Sequence, residues 1–349
     1  MTLLMNRPRR HVSGLEDVPH PSTDAAAVQS LLARCPRAAE TPLLSLPELA
    51  GAQGVAEVWL KDERGRMGLG SFKALGAAYV IAREASLVPD AGVWGDRLRG
   101  RVFVTASAGN HGLSVAAGAR LFGAQAVIFL AETVPEAFAD RLRQKGAEVR
   151  REGDDYEASM LAAEAAAEEN GWTLLSDSSW PGYEDLPLRV MEGYLQMAAE
   201  IVDQIPAPPT HIFLQAGVGG LAAAVAAHAR RAWGDAPVIV VVEPEAAPAL
   251  LVSCRAGGIV TTEGPVSEMG RLDCKTPSMI ALSGLARDAD LFVTVSEAEA
   301  ASATARLAAA GLDTTPSGAA GLAAVFAGRP ALPADARVLA IVSEGPEDA

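Results

Sequence analysis

From about residue 40 onward the chain alternates between two kinds of run. Short, continuously apolar stretches rich in β-branched residues, such as Val102-Phe103-Val104 and Val238-Ile239-Val240-Val241-Val242, lack polar alternation, as strands buried on both faces do. Longer stretches rich in Ala, Leu and Glu separate them, with apolar residues at helical spacing. Strands are expected up to Lys61 and over residues 101–105, 126–130, 173–175, 212–214, 238–242, 291–295 and 338–342. Helices are expected over residues 24–33, 110–121, 135–145, 156–169, 188–204, 220–231, 248–255, 298–310 and 318–327, and one more opens at Ser71-Phe72-Lys73. This alternation predicts an α/β fold, with parallel sheets covered by helices on both faces. The strands outnumber those of one small sheet, so two doubly wound parallel-sheet domains are expected. Residues 1 to about 22 show no period and read as an irregular arm, and Gly257 to Pro277 reads as a long connection of the kind that often carries function.

Composition narrows the partners. Half of the 349 residues are hydrophobic and few are aromatic, which suits helices packed closely on sheets. A formal net charge of −14 argues against nucleic acid or an anionic membrane surface as partner. An acidic protein can still hold a phosphate through backbone N–H groups at a helix N-terminus. Cys35, Cys254 and Cys274 make no C-x-x-C pair and no disulfide framework, and the five histidines have no metal-ligand spacing, so no metal is expected. The N-terminus lacks the order of a secretory signal, and the most apolar run, Ala216 to Ala227, is too short to span a bilayer. A soluble cytoplasmic protein is the expectation.

Four strand-to-helix turns carry the candidate chemistry, and in a parallel sheet such turns gather where ligands bind. The first leads from Trp59 through Lys61-Asp62-Glu63-Arg64 and Gly65, Gly68 and Gly70 to Ser71-Phe72-Lys73. Ser71 is expected to cap the helix, which places Lys73 in its first turn, where the helix dipole favours a neutral, nucleophilic amine. The second, Ser107-Ala108-Gly109-Asn110-His111, is either an anion site suited to a carboxylate or an ordinary loop capped by Asn110. The third, Gly217-Val218-Gly219-Gly220-Leu221, has the make-up of a phosphate cradle; no Walker lysine follows. It also fits a dinucleotide pattern loosely, with Glu243 about where a ribose-binding acid would stand, so a nicotinamide oxidoreductase is a competing reading. The fourth is Thr314-Thr315-Pro316-Ser317-Gly318, where Ser317 is expected to cap a helix.

Taken together and in this order, the four turns resemble those of the fold-type II pyridoxal-phosphate enzymes, the tryptophan synthase β-like group, over about Thr41 to Gly345. The resemblance implies that Lys73 is the Schiff-base lysine, with Phe72 beside the cofactor. It implies that Ser107, Ala108, Gly109, Asn110 and His111 hold the substrate carboxylate, and that Asn110 also meets the cofactor's ring hydroxyl. Gly217, Val218, Gly219, Gly220 and Leu221 would hold the phosphate of pyridoxal 5′-phosphate, and Ser317 would face the pyridine nitrogen. It further implies a cofactor-binding large domain of residues 1–75 and 165–349, a smaller movable domain of residues 76–164, and a homodimer. Local wording, including Lys61-Asp62-Glu63, Asp177-Ser178-Ser179-Trp180 and Met191-Glu192-Gly193-Tyr194, looks most like the diaminopropionate ammonia-lyases. One departure stands out: those enzymes carry an acid in the asparagine loop where this chain has Ala108, and the loop here is similar to that of serine/threonine dehydratases.

The implied reaction is α,β-elimination from a small amino acid in amino-acid catabolism, giving a 2-oxo acid and ammonia. Lys73 would take the α-proton, and Asp177 would protonate the leaving group or grip a β-amine. With Ala108 supplying no acid, Lys73 would be the sole base at Cα, and a single enantiomer would be used. A serine/threonine or 3-hydroxyaspartate dehydratase shares every step except the leaving group.

Overall fold

The computed structural model describes residues 2–346 apart from Pro8, Pro36 and residues 90–92. Its strands in chain order are β1 (Leu3–Met5), β2 (Leu43–Ser45), β3 (Glu57–Asp62), β4 (Val102–Ala106), β5 (Gln125–Leu130), β6 (Glu148–Arg151), β7 (Thr173–Leu174), β8 (His211–Gln215), β9 (Val238–Pro244), β10 (Leu291–Val295) and β11 (Arg337–Val342). They form two sheets among the described residues. The larger runs β1-β10-β9-β8-β11-β3-β2 and the smaller β6-β5-β4-β7. All pairings are parallel except those of β1 and β2, which close the two edges of the large sheet. The apolar runs of β9, β8 and β11 lie at its centre, where both faces are covered.

Three short strands depart from the expectation, among them Leu43–Ser45, which pairs antiparallel with β3. Leu3–Met5, within the arm read as irregular, pairs antiparallel with β10. Glu148–Arg151 adds an edge strand whose side chains are at best half-buried. By sheet membership Thr173–Leu174 belongs with the smaller sheet, so that unit runs on past residue 164.

The helices are α1 (Ala25–Leu32), α2 (Pro47–Gln53), α3 (Lys73–Ser86), α4 (Asn110–Leu121), α5 (Glu136–Gln144), α6 (Tyr156–Asn170), α7 (Asp185–Gln204), α8 (Gly220–Trp233), α9 (Ala249–Ala256), α10 (Met279–Asp288), α11 (Glu297–Ala309) and α12 (Pro316–Phe326). α3 matters most for function because it packs against helices of both sheets. A Cβ on Gly193 of α7 would stand 2.5 Å from the Leu75 carbonyl oxygen, and one on Gly76 would stand 2.8 Å from the Tyr194 ring. Glycine at both places therefore lets α3 and α7 cross at backbone distance. On the other side, Gly118 of α4 receives Ile81 in the same way. The start of α3 is thus wedged where the carboxyl ends of the two sheets converge.

Candidate active site

Between β3 and α3 the chain passes through a 3-10 stretch, Glu63–Gly68, and reverses through left-handed Met67 (φ 53°), Gly68 (φ 70°) and Gly70 (φ 78°). The turn is then laced onto the segment after β11. Phe72 N–H donates to the Ser343 carbonyl at 3.1 Å, and Gly345 N–H donates to Gly70 at 2.9 Å. Ser71 stands one step outside the expected cap. Phe72 takes the N-cap position, and Ser71 Oγ accepts the Lys73 N–H at 3.3 Å.

Lys73 Nζ is ion-paired and hydrogen-bonded to the carboxylate of Asp177, which follows β7. This corrects the expectation of a neutral amine. Burial acts to lower the Lys73 pKa, but the contacting Asp177 charge, with smaller help from Tyr194, holds it well above the ordinary 10.5. A helix terminus carries roughly half a charge, whereas Asp177 presents a full one in contact. Burial likewise acts to raise the Asp177 pKa, and the contacting Lys73 charge overcomes it, so its carboxyl stays well below the usual range. The resting pair is a zwitterion.

Tyr194 closes this corner. Its ring centroid lies 4.9 Å from that of Phe72, and its buried hydroxyl has no hydrogen-bond partner among the described residues. Burial pushes the phenol up to about 12, so it is a neutral donor.

The glycine loop joins β8 to α8. Gly219 (φ 101°) is the N-cap of α8, and no side chain caps the helix, so the first-turn N–H groups of Gly220 and Leu221 head it bare. A Cβ on Gly217 would lie 2.9 Å from Cys274 Sγ, and one on Gly219 would lie 2.9 Å from the Ala281 Cβ. The Val218 carbonyl accepts from Ser278 N–H at 3.1 Å, which fixes the loop. Burial pushes the Cys274 thiol, packed against Gly217, up to about 12.

The asparagine loop joins β4 to α4 in the smaller sheet. Ser107 Oγ accepts the Gly109 N–H at 3.3 Å, and Asn110 opens α4 instead of capping it. His111 Nε2 lies 2.8 Å from the Leu175 carbonyl, which can only accept, so that nitrogen carries the proton. Burial lowers the His111 pKa, and its Nδ1 is a buried acceptor with no partner among the described residues. Beside Ala108 lies a cavity of about 140 Å³ walled in part by Ser107, Phe129 and Tyr156.

The two halves meet at Glu344. Its carboxylate accepts from Asn110 Nδ2 and from the Thr315 hydroxyl, and its oxygen Oε2 lies 3.8 Å from Arg271 Nε. Thr315, rather than Ser317, caps α12, accepting Gly318 N–H at 3.0 Å. Pro316 occupies the first helical position and moves Ser317 into the helix, where its Oγ accepts Arg271 N–H at 3.1 Å. Glu344, Arg271, Cys274 and Tyr194 all join this site without having been assigned a role by their local sequence.

Glu243 does something else. It is fully buried, and its two oxygens accept the Leu250 and Leu251 N–H groups at 2.7 and 2.8 Å, at the start of α9. A carboxylate used in this way cannot read a ribose, and the nicotinamide reading falls with it.

A flat phosphorylated ring with an aldehyde fits this set of groups. The loop at 217 and 219 packs too closely on Cys274 and Ala281 to carry a Cβ, the α8 N-terminus it heads is uncapped, Tyr194 Oη and His111 Nδ1 lack hydrogen-bond partners among the described residues, and Lys73 is paired with Asp177.

Comparison with known proteins agrees with the geometry. A family model described as pyridoxal-phosphate dependent enzyme matches residues 36–344. The chain is 31% identical over 359 residues to the diaminopropionate ammonia-lyase of Salmonella typhimurium, covering 89% of this chain and 86% of that protein. It is 30% identical over 295 residues to the serine dehydratase-like protein of Mus musculus, covering 82% of each. The crystal structure of Escherichia coli diaminopropionate ammonia-lyase in complex with D-serine superposes with a TM-score of 0.88 at 28% identity, over 99% of this chain and 94% of that one.

Proposed function

The chain belongs to the family of pyridoxal-phosphate-dependent enzymes, and on that premise we propose that it is an ammonia-lyase removing the Cβ substituent of a small amino acid of the 2,3-diaminopropionate kind. The products are a 2-oxo acid and ammonia. Pyridoxal 5′-phosphate is the cofactor, and when bound it supplies the electron sink that makes the α-proton acidic. Lys73 would hold it covalently, with Phe72 and Tyr194 against its ring. Gly217, Val218, Gly219, Gly220 and Leu221 would take its phosphate, Asn110 would meet its ring hydroxyl, and Ser317 would face its pyridine nitrogen.

The observation that carries the reading is the Lys73–Asp177 pair at the convergence of the two sheets. With substrate bound, Lys73 would be the base that receives the α-proton, for which its amine must be neutral. It has then to shed the proton that Asp177 now stabilises. Asp177, ionised and adjacent, would either take that proton and return it to the leaving group or grip a β-ammonium that already carries its own. The N–H groups of residues 107–111 at the head of α4 would hold the substrate carboxylate. Neutral His111, fixed by Leu175, offers Nδ1 as a further acceptor.

A hydroxy-amino-acid dehydratase is the second reading, favoured by Ala108 in a loop with no acid and by the serine dehydratase-like relative. Both readings include a homodimer acting in the cytoplasm and a smaller domain that moves against the larger. No helix among the described residues is long and apolar enough to cross a membrane.

Keto-acid release from diaminopropionate, serine, threonine and 3-hydroxyaspartate, each in both configurations, tests the assignment. Diaminopropionate should be turned over fastest and in one configuration only. A clear preference for hydroxy substrates would overturn the leaving-group assignment, and equal rates on D- and L-isomers would overturn Lys73 as the sole base. Light scattering of the purified protein should give twice the chain mass.

A further inference from the structure

The acids of the site are committed. Asp177 is paired with Lys73, and Glu344 is engaged by Asn110, Thr315 and Arg271. The loop from Ser107 to His111 itself contributes no carboxylate, and Ala108 borders a cavity instead. A cation does reach that loop. A Cβ on Gly109 would stand 3.4 Å from both Nε and Cζ of Arg271, so the guanidinium lies directly over the loop backbone.

Arg271 is a placed residue. Its N–H donates to Ser317 Oγ at 3.1 Å, and its carbonyl oxygen would stand 3.0 Å from a Cβ on Gly217. It therefore touches the glycine loop, the start of α12 and the asparagine loop at once. The adjoining backbone is held by Leu272 N–H to the Met269 carbonyl at 2.8 Å, and the neighbouring Asp273 is paired with Lys275 at 2.6 Å. Its side chain is about a quarter exposed, at 27%, toward the cleft mouth.

We propose that Arg271 is a second substrate-carboxylate contact beside the 107–111 loop, a specificity residue whose guanidinium binds a carboxylate over that loop. A guanidinium presents two parallel N–H donors that match two carboxylate oxygens, and the head of α4 adds partial positive charge on the same side. A substituent carrying an ammonium meets the opposite situation there and has only Asp177 to turn to. The carboxylate has two possible sources, the α-carboxylate common to all amino acids or a second one on Cβ, as in 3-hydroxyaspartate. The proposal rests on the elimination reading only for what happens after binding.

The test uses unreactive ligands. L-alanine carries only the α-carboxylate, L-aspartate adds one on Cβ, and neither has a group that leaves. Their binding to the cofactor-loaded protein is measured by calorimetry for wild type, Arg271→Gln and Arg271→Lys. If Arg271 reads the α-carboxylate, Arg271→Gln weakens both ligands alike by about tenfold or more. If it reads a side-chain carboxylate, wild type prefers aspartate, and only aspartate is weakened. Arg271→Lys keeps the charge without the fork and should fall between, and it carries the test should Arg271→Gln not fold. Unchanged binding of both ligands by the variants, or no binding of either by wild type, would overturn the proposal. Failure of the elimination reading has a different signature, absence of keto-acid release from every substrate while ligand binding still responds to residue 271.

Discussion

Two lysines a short way apart in the sequence, Lys61 and Lys73, each meet a carboxylate in opposite kinds of surroundings. Lys61 is fully buried and donates to the Thr41 carbonyl, Glu200 and Gln204 at 2.7, 2.7 and 2.9 Å, which uses all three of its N–H groups. Arg66, beside it, is shared between Glu63, Glu200, Thr41 and the Ala39 carbonyl. Burial lowers the Lys61 pKa despite its acid partner. Lys73 instead has a single hydrogen-bond partner among the described residues, is partly exposed, and shares its site with Tyr194 Oη and His111 Nδ1, which have none. A saturated network fixes a conformation, whereas an under-coordinated one leaves capacity for a ligand. Charge alone does not separate the two regions; saturation does.

The largest expected break in that contrast is Lys73→Ala. Turnover should fall by about a thousandfold or more, while unfolding in urea shifts by about 1 kcal/mol, as for a partly exposed pair. Glu200→Ala should do the reverse. It strands Lys61 and Arg66 in the core and should cost about 3–5 kcal/mol in urea unfolding, with the remaining folded enzyme keeping its KM. Gly219→Ala puts a Cβ at φ 101°, 2.9 Å from Ala281. Roughly 1–3 kcal/mol of stability should be lost, together with faster cofactor loss on gel filtration.

Glu243 sharpens the contrast most gently, as a buried acid with N–H partners and no cation. Burial pushes it up to about 8 against its ordinary 4.5, so the folded state binds the extra proton. Its contribution is complete below about pH 4.5 and is lost as pH rises through 8. Glu243→Gln should remove that downward slope from a plot of unfolding free energy against pH between those values.

Where residues lay close along the chain, their roles were legible. The alternation of buried strands with helices predicted the parallel sheets, and the glycine run predicted a loop heading a helix, because both depend on local pattern. Lys73 lies in the first turn of its helix as expected, yet its amine is charged, since its partner Asp177 lies 104 residues away and outweighs the helix dipole. Glu344 and Asn110, 234 residues apart, meet only because two sheets converge. Arg271 sits in an aperiodic stretch that gives no positional signal until the loop is folded. The short edge strands Leu3–Met5 and Glu148–Arg151 bury too little to leave a pattern. Ser317 lost its expected capping role because Thr315 precedes Pro316 and takes it.

The claim on which the account turns is that Lys73 alone carries the cofactor. Borohydride reduction of the protein purified with pyridoxal phosphate, followed by peptide mass mapping, tests it most directly. The account predicts loss of the visible absorbance and one pyridoxyl addition, on the peptide containing Lys73. Addition at Lys61 or any other lysine, or a colourless protein that takes up no cofactor, would contradict it.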